Sequence, residues 1–176
     1  MTPLDGIDIP SLVLLKYPDP RLRVVCQAVE QFDDRLRALV EKMFQVMYEQ
    51  NGVGLAAAQV GVGLCLFIAN PTHQERDERV YVNPRLISLE GSQEEEEGCL
   101  SFPGIYSRIK RAAATVIRAQ NLDGKAFEER AEGLLARVHQ HEFDHIHGRL
   151  LIDRMSAVAK LAHRRTLKSL EEAAAP

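Results

Sequence analysis

The sequence predicts an α+β fold, with small antiparallel or mixed sheets packed around one central helix, a helix towards the N-terminus and another at the C-terminus. Three observations lead there. Strand-like segments cluster between residues 64 and 130 without regular βαβ alternation. A long amphipathic stretch precedes them, and two more helical stretches follow. The 176 residues suit one domain, 1–176, with a sizeable core and a tail over 171–176 expected to fray. No internal repeat or linker divides it.

The elements follow in order. Tyr17-Pro18-Asp19-Pro20-Arg21 is a proline-punctuated turn. Asp33 or Asp34 can cap a helix whose stripe is Leu36, Leu39, Val40, Met43, Phe44 and Met47, and it stops before Asn51-Gly52. Residues 52–63, rich in Gly and Ala, read as a loop. Leu64–Ala69, Arg79–Val82 and Arg85–Glu90 read as strands, with a charged loop between His73 and Arg79. An acidic run, Glu94 to Glu97, carries no assignment. Ala113–Ala119 and Ala126–Arg130 form a hairpin through Asn121-Leu122-Asp123-Gly124. Gly133 is a tolerable cap for a helix reaching His147, and Gly148 is a good stop. Leu150–Asp153 reads as extended, and Ser156 caps a last helix to about Leu170.

Composition narrows the function. A net charge of −3 gives no reason to expect a binder of free nucleic acid, and no run approaches the ~20 apolar residues that span a membrane. Residues 1–12 lack a basic segment followed by an apolar core, so no signal peptide is expected. Three cysteines without such a signal argue against a disulfide scaffold. Cys65 lies in an apolar run and reads as core, Cys26 has no partner suggested by spacing, and Cys99 has polar neighbours and a preceding glycine.

The chemistry concentrates in three segments. In His141-Glu142-Phe143-Asp144-His145, two imidazoles four residues apart share one helix face and can reach one metal ion. Glu142 is held beside that ion without binding it, the usual arrangement for a metal-bound water and its base. A third ligand decides the class. The position of a third histidine in one peptidase pattern is Leu151, and no glutamate follows His145 until Glu171, so neither standard peptidase set is complete. Cys99, in Glu97-Gly98-Cys99-Leu100-Ser101, supplies a thiolate and leaves a fourth position open. Gly52-Val53-Gly54-Leu55-Ala56-Ala57-Ala58-Gln59 brings backbone close to a ligand, and Gln59 offers an amide donor for a developing oxyanion. His147 points elsewhere and reads as a surface or supporting residue.

These three segments, in this order, resemble the hallmarks of the peptide deformylase family: Gly-x-Gly-Leu-Ala-Ala-x-Gln, Glu-Gly-Cys-Leu-Ser and Gln-His-Glu-x-Asp-His. The start Lys16–Arg23 looks like the family's start, and the resemblance covers roughly residues 10–160. It implies Cys99, His141 and His145 as metal ligands, and Glu142 as general base and acid. It also implies Gln59 and the Leu100 N–H as oxyanion donors. The implied reaction is removal of the formyl group from the N-terminal formylmethionine of nascent peptides, with iron(II) in the cell and zinc, nickel or cobalt as possible occupants. Gly54 belongs to a wall that excludes bulky acyl groups. Val53, Leu134 and Val138 are candidates by position for the methionine pocket, and each could equally be core.

The chain departs from the pattern in places. Gln27 stands where proline is often nearby, and the acidic run before Gly98 is longer than usual. The family often has an arginine shortly after the cysteine motif; here Tyr106 and Ser107 precede Arg108, so no substrate contact is assigned there. The last helix is basic, with Lys160, His163, Arg164, Arg165 and Lys168. A solvated face explains that, and the resemblance adds contact with the ribosome. The expected location is the bacterial cytoplasm, with an organellar source left open. Two rival readings stand: another amidase or peptidase using the same site, and a non-enzymatic protein with a structural metal.

Overall fold

A computed structural model describes residues 4–174. Helix α1, Asp34–Glu49, is capped by Asp33, whose carboxylate accepts the Leu36 N–H at 3.0 Å. All six residues of its predicted stripe are buried, together with Val46. They join Leu55, Val60, Leu64, Leu66 and Ile68 in the largest apolar cluster.

The main sheet has five antiparallel strands in the order β1 (Gly54–Ala56), β2 (Leu66–Ala69), β3 (Arg79–Glu90), β6 (Ala114–Gln120) and β7 (Ala126–Glu132). Between β3 and β6 run β4 (Gln93–Gly98) and β5 (Tyr106–Arg111), which pair only with each other. Helix α2, Gly133–Ile146, packs on β1, β2, β6 and β7. Three short helices close the chain: α3 (Leu151–Arg154), α4 (Ala157–Ala162) and α5 (Arg164–Ala173).

The α+β expectation holds, and several elements differ in detail. The Gly/Ala segment is no loose loop: Gly54–Ala56 is a strand on Phe67–Ala69, Ala57–Val60 is a 3-10 turn, and Leu55 to Val60 are all buried. Small side chains let this backbone lie between β2 and α2. The acidic run is β4, held by its partner β5 rather than by apolar alternation. The two strands expected over 79–82 and 85–90 are one strand with register shifts around 83–87. Glu132, not Gly133, caps α2, and Gly133 takes φ +57°. Leu150–Asp153 is not extended, because the Asp153 carboxylate accepts the Leu150 N–H and closes α3. Ser156 does cap a helix, but the chain breaks at His163 into α4 and α5. The expected fraying overlaps ordered structure: residues 171–173 are helical and Glu171 accepts from the Tyr17 hydroxyl at 2.7 Å. Residues 175 and 176 lie outside the described residues. Cys65 is only half-buried.

The N-terminal segment straps the site together. The Leu15 N–H donates to Gln59 O, the Tyr17 N–H to Ser101 O, and the Cys26 N–H to Ile146 O. Gly148 ends α2 with φ +69°, and a Cβ there would lie 2.5 Å from Arg23 O, so only glycine fits the crossing.

Candidate active site and metal centre

Helix α2 and the turn after β4 bring the ligands together. Cys99 Sγ lies 3.3 Å from His145 Nε2, which lies 3.2 Å from His141 Nε2, and the three ligand atoms fall within 4.8 Å of one another. The i, i+4 spacing places both imidazoles on one face, as the sequence implies. The donor set, one thiolate and two imidazoles, suits a divalent transition metal with a position left open. The electrostatics ask for a cation here. Burial pulls His141 towards neutrality, but the Cys99 sulfur, Glu97 and Glu142 outweigh it and hold its pKa well above the usual value. Burial and then the charge of His141 depress His145 well below it. His141 is thus held protonated while His145 is held neutral, and the converging thiol and imidazole donors fit a metal.

A buried ion network orients the ligands. His141 Nδ1 meets Glu97 Oε1 at 2.6 Å. Arg111 donates to both Glu97 oxygens, at 3.2 and 2.7 Å, and Arg137 donates to Glu97 Oε2 at 2.8 Å. Arg111 Nη1 also donates to Asp144 Oδ2 at 2.6 Å, and Arg154 closes the chain onto Asp144. Burial pushes Glu97 upward, but its bonds to His141 and Arg111 prevail and hold it at about 2. A carboxylate on the distal nitrogen fixes the imidazole tautomer and its direction. Glu97 and Asp144 stood inside the recognised motifs without a role. Arg111 and Arg137 carried no signal, because pairs across β5, β4 and α2 have no sequence spacing. Arg108, left unassigned, is exposed and donates to Glu94 O.

Glu142 is buried beside the ligands, and its Oε2 has no hydrogen-bond partner among the described residues. Burial raises its pKa to about 7, with His141 opposing. Gly54 makes room for it: a Cβ there would lie 2.6 Å from Glu142 Oε1 and 2.8 Å from Val138 Cγ1. Gln59 is locked by its own backbone. Its Oε1 accepts the Ala56 N–H at 2.9 Å, so Nε2 faces the site, donating to Ser101 Oγ at 3.1 Å and lying 3.7 Å from Cys99 Sγ. The Leu100 N–H makes no backbone hydrogen bond among the described residues. Val53, Gly54, Leu134 and Val138 all line the cleft of about 610 Å³ that opens onto Cys99, His141 and Glu142. Val138 is buried and Leu134 is half exposed at the rim. His147 is exposed, and its ring lies on Phe143, with Nδ1 2.8 Å from Phe143 O.

His139, which the sequence reading passed over, is fully buried on a different face of α2. Its Nδ1 meets Thr115 Oγ1 and its Nε2 meets the Tyr81 hydroxyl, both at 2.9 Å, and Tyr81 donates to Glu129.

Similarity to known proteins agrees with this geometry. The sequence profile of the polypeptide deformylase family matches residues 12–161. A peptide deformylase of Acidobacterium capsulatum is 45% identical over 162 residues, 91% of this chain and 95% of that protein. The chloroplastic peptide deformylase 1B of Oryza sativa is also 45% identical, over 93% of this chain and 62% of its own. The crystal structure of a peptide deformylase from Legionella pneumophila superposes with a TM-score of 0.86 at 42% identity, covering 93% of this chain and 98% of that one. With the profile spanning most of its length, the chain belongs to the polypeptide deformylase family.

Proposed function

We propose that Cys99, His141 and His145 hold one divalent metal, that Glu142 carries the proton, and that Gln59 and the Leu100 N–H steady the oxyanion. The protein is a metal-dependent hydrolase that removes the formyl group from the N-terminal formylmethionine of newly made polypeptides and releases formate. The observation that carries the residue roles is the convergence of three ligand atoms within 4.8 Å beside an unpartnered, buried carboxylate oxygen of Glu142.

When bound, the metal supplies Lewis acidity, easing deprotonation of a water and polarising the formyl oxygen. The protein does the rest. Glu142 accepts the proton of the attacking water and returns it to the amine nitrogen as the C–N bond breaks. Gln59 Nε2 is already aimed at the site, so it donates to the developing oxyanion without reorganising, and the Leu100 N–H, with no backbone acceptor among the described residues, does the same. Gly54 brings the wall close enough that hydrogen, and not methyl, fits on the acyl carbon. Val53, Leu134 and Val138 supply the apolar pocket for methionine.

Finer points belong to the same proposal. The chain works as one catalytic domain over 1–176. Iron(II) is the native metal, and zinc, nickel or cobalt can take its place. The enzyme acts in the bacterial cytoplasm, where the basic face of Lys160, His163, Arg164, Arg165 and Lys168 meets the ribosome. No helix among the described residues is long and apolar enough to cross a membrane. The discriminating experiment is hydrolysis of a peptide panel by metal-loaded protein. Formyl-Met peptides are cleaved, while acetyl-Met peptides and casein are not; comparable rates on all three would favour a general amidase or peptidase.

A further inference from the structure

On the far side of α2 lies a second cleft, of about 610 Å³, that shares no lining residue with the catalytic one. Its walls carry two chemistries. One side is apolar, from Leu86 and Leu89 of β3 and Phe143 of α2, and Leu89 is 56% exposed. The other side is basic, from Lys110, Arg111, Arg149 and Arg154.

The charges do not balance. Among the described residues, Asp144 is the one carboxylate lining this cleft. It is already engaged, accepting from Arg111 Nη1 at 2.6 Å and Arg154 Nε at 2.8 Å. Behind it, Glu97 is saturated by Arg111, Arg137 and His141. Lys110 and Arg149 are exposed and close no ion pair among the described residues, although Glu94 stands opposite Lys110 across the β4–β5 pair. A concave surface with two cations that close no ion pair among the described residues, beside an apolar wall, suits a dianion attached to an apolar body. A carboxylate would satisfy one of the two charges and a phosphate monoester both.

We propose that this cleft binds a small organic phosphate of nucleoside monophosphate size, its phosphate held by Lys110 and Arg149 with Arg154 at the edge, and its apolar portion against Leu86, Leu89 and Phe143. None of these residues lines the catalytic cleft, and Lys110 and Arg149 stand outside the ion network that reaches His141, which Arg154 joins through Asp144.

The test is calorimetric titration of the metal-loaded protein with AMP, inorganic phosphate and adenosine. The expected result is one equivalent of AMP, weaker binding of phosphate, and no saturable binding of adenosine. The double variant Lys110→Gln/Arg149→Gln weakens AMP about tenfold or more, since charge-assisted hydrogen bonds contribute at least that much. Its activity on formyl-Met peptides is unchanged. Leu89→Ser, which leaves every charge in place, weakens AMP but not phosphate. Absence of saturable AMP binding, or equal AMP affinity in the natural and double-variant proteins, would overturn the proposal; the second result would put the phosphate on the catalytic metal. Equal affinity for AMP and phosphate would overturn the apolar half, and tight adenosine binding the anionic half.

Discussion

His139 and His145 sit on different faces of α2, with 0% and 1% of their surfaces exposed, and their surroundings have little in common. Around His139 the protein satisfies both ring nitrogens, through Thr115 and Tyr81, and packs Phe67 and Tyr81 against the ring. Burial, with the charge of Arg79 nearby, holds this imidazole neutral, its pKa near 4. Around His145 the protein does the opposite. Nε2 faces Cys99 and His141, and Nδ1 has no partner among the described residues. Burying a polar group without a partner costs about 1–3 kcal/mol, so a fold that leaves Glu142 Oε2 in that condition beside the Cys99–His141–His145 cluster reserves it for something else. Burial and residue type do not separate a structural histidine from a ligand; what its ring nitrogens face does, hydroxyl partners for His139 and other ligand atoms for His145 Nε2.

The sharpest way to break this contrast is to remove each histidine in turn. His145→Ala should lose most of the bound metal and nearly all activity. His139→Leu should keep one equivalent of metal while losing about 2 kcal/mol of stability, because Thr115 and Tyr81 lose a buried partner. Metal analysis with denaturant melts separates the two. Full metal retention in His145→Ala, or metal loss in a folded His139→Leu, would end the distinction.

Glu142→Gln tests the unpartnered carboxylate. It should keep the metal and lose about 10²-fold or more in kcat, the usual contribution of a positioned base. An active Glu142→Gln enzyme would remove Glu142 from the mechanism.

Gly54→Ala is a smaller perturbation of the same atoms, since its Cβ would fall 2.6 Å from Glu142 Oε1. We expect a fall of about tenfold in kcat from a displaced base, with metal content unchanged. A normal kcat with a raised KM would instead make Gly54 a wall for substrate alone.

The smallest effect lies outside both faces. Asp153 caps α3 and pairs with Arg23, and although burial opposes it, the Arg23 hydrogen bond holds its carboxyl below the ordinary 3.8. A carboxyl lowered in the folded state adds stability above its unfolded pKa, and loses it as pH falls through the folded value. Asp153→Asn should therefore cost stability at pH 7, and the gap from the natural protein should shrink below pH 3.8. A gap constant with pH would show that the cap geometry, and not the charge, matters.

Much of this was written locally in the sequence. Helix α1 follows from a stripe and a capping aspartate, and the ligand pair from a four-residue spacing. The hairpin follows from Asn121–Gly124, and the reaction from three short motifs. Each is a property of neighbours along the chain, where covalent geometry sets the distances. Other features depend on segments distant in sequence. The Gly/Ala stretch became a buried strand because β2 and α2 close on it. The acidic run became β4 because Tyr106–Arg111 pairs with it. The Glu97–Arg111–Arg137–Asp144 network, the neutral role of His139 and the second cleft depend on contacts between residues 14 to 58 positions apart. Local spacing could name the groups proposed to hold the metal. Only packing could decide which buried groups were satisfied and which were left with chemistry to do.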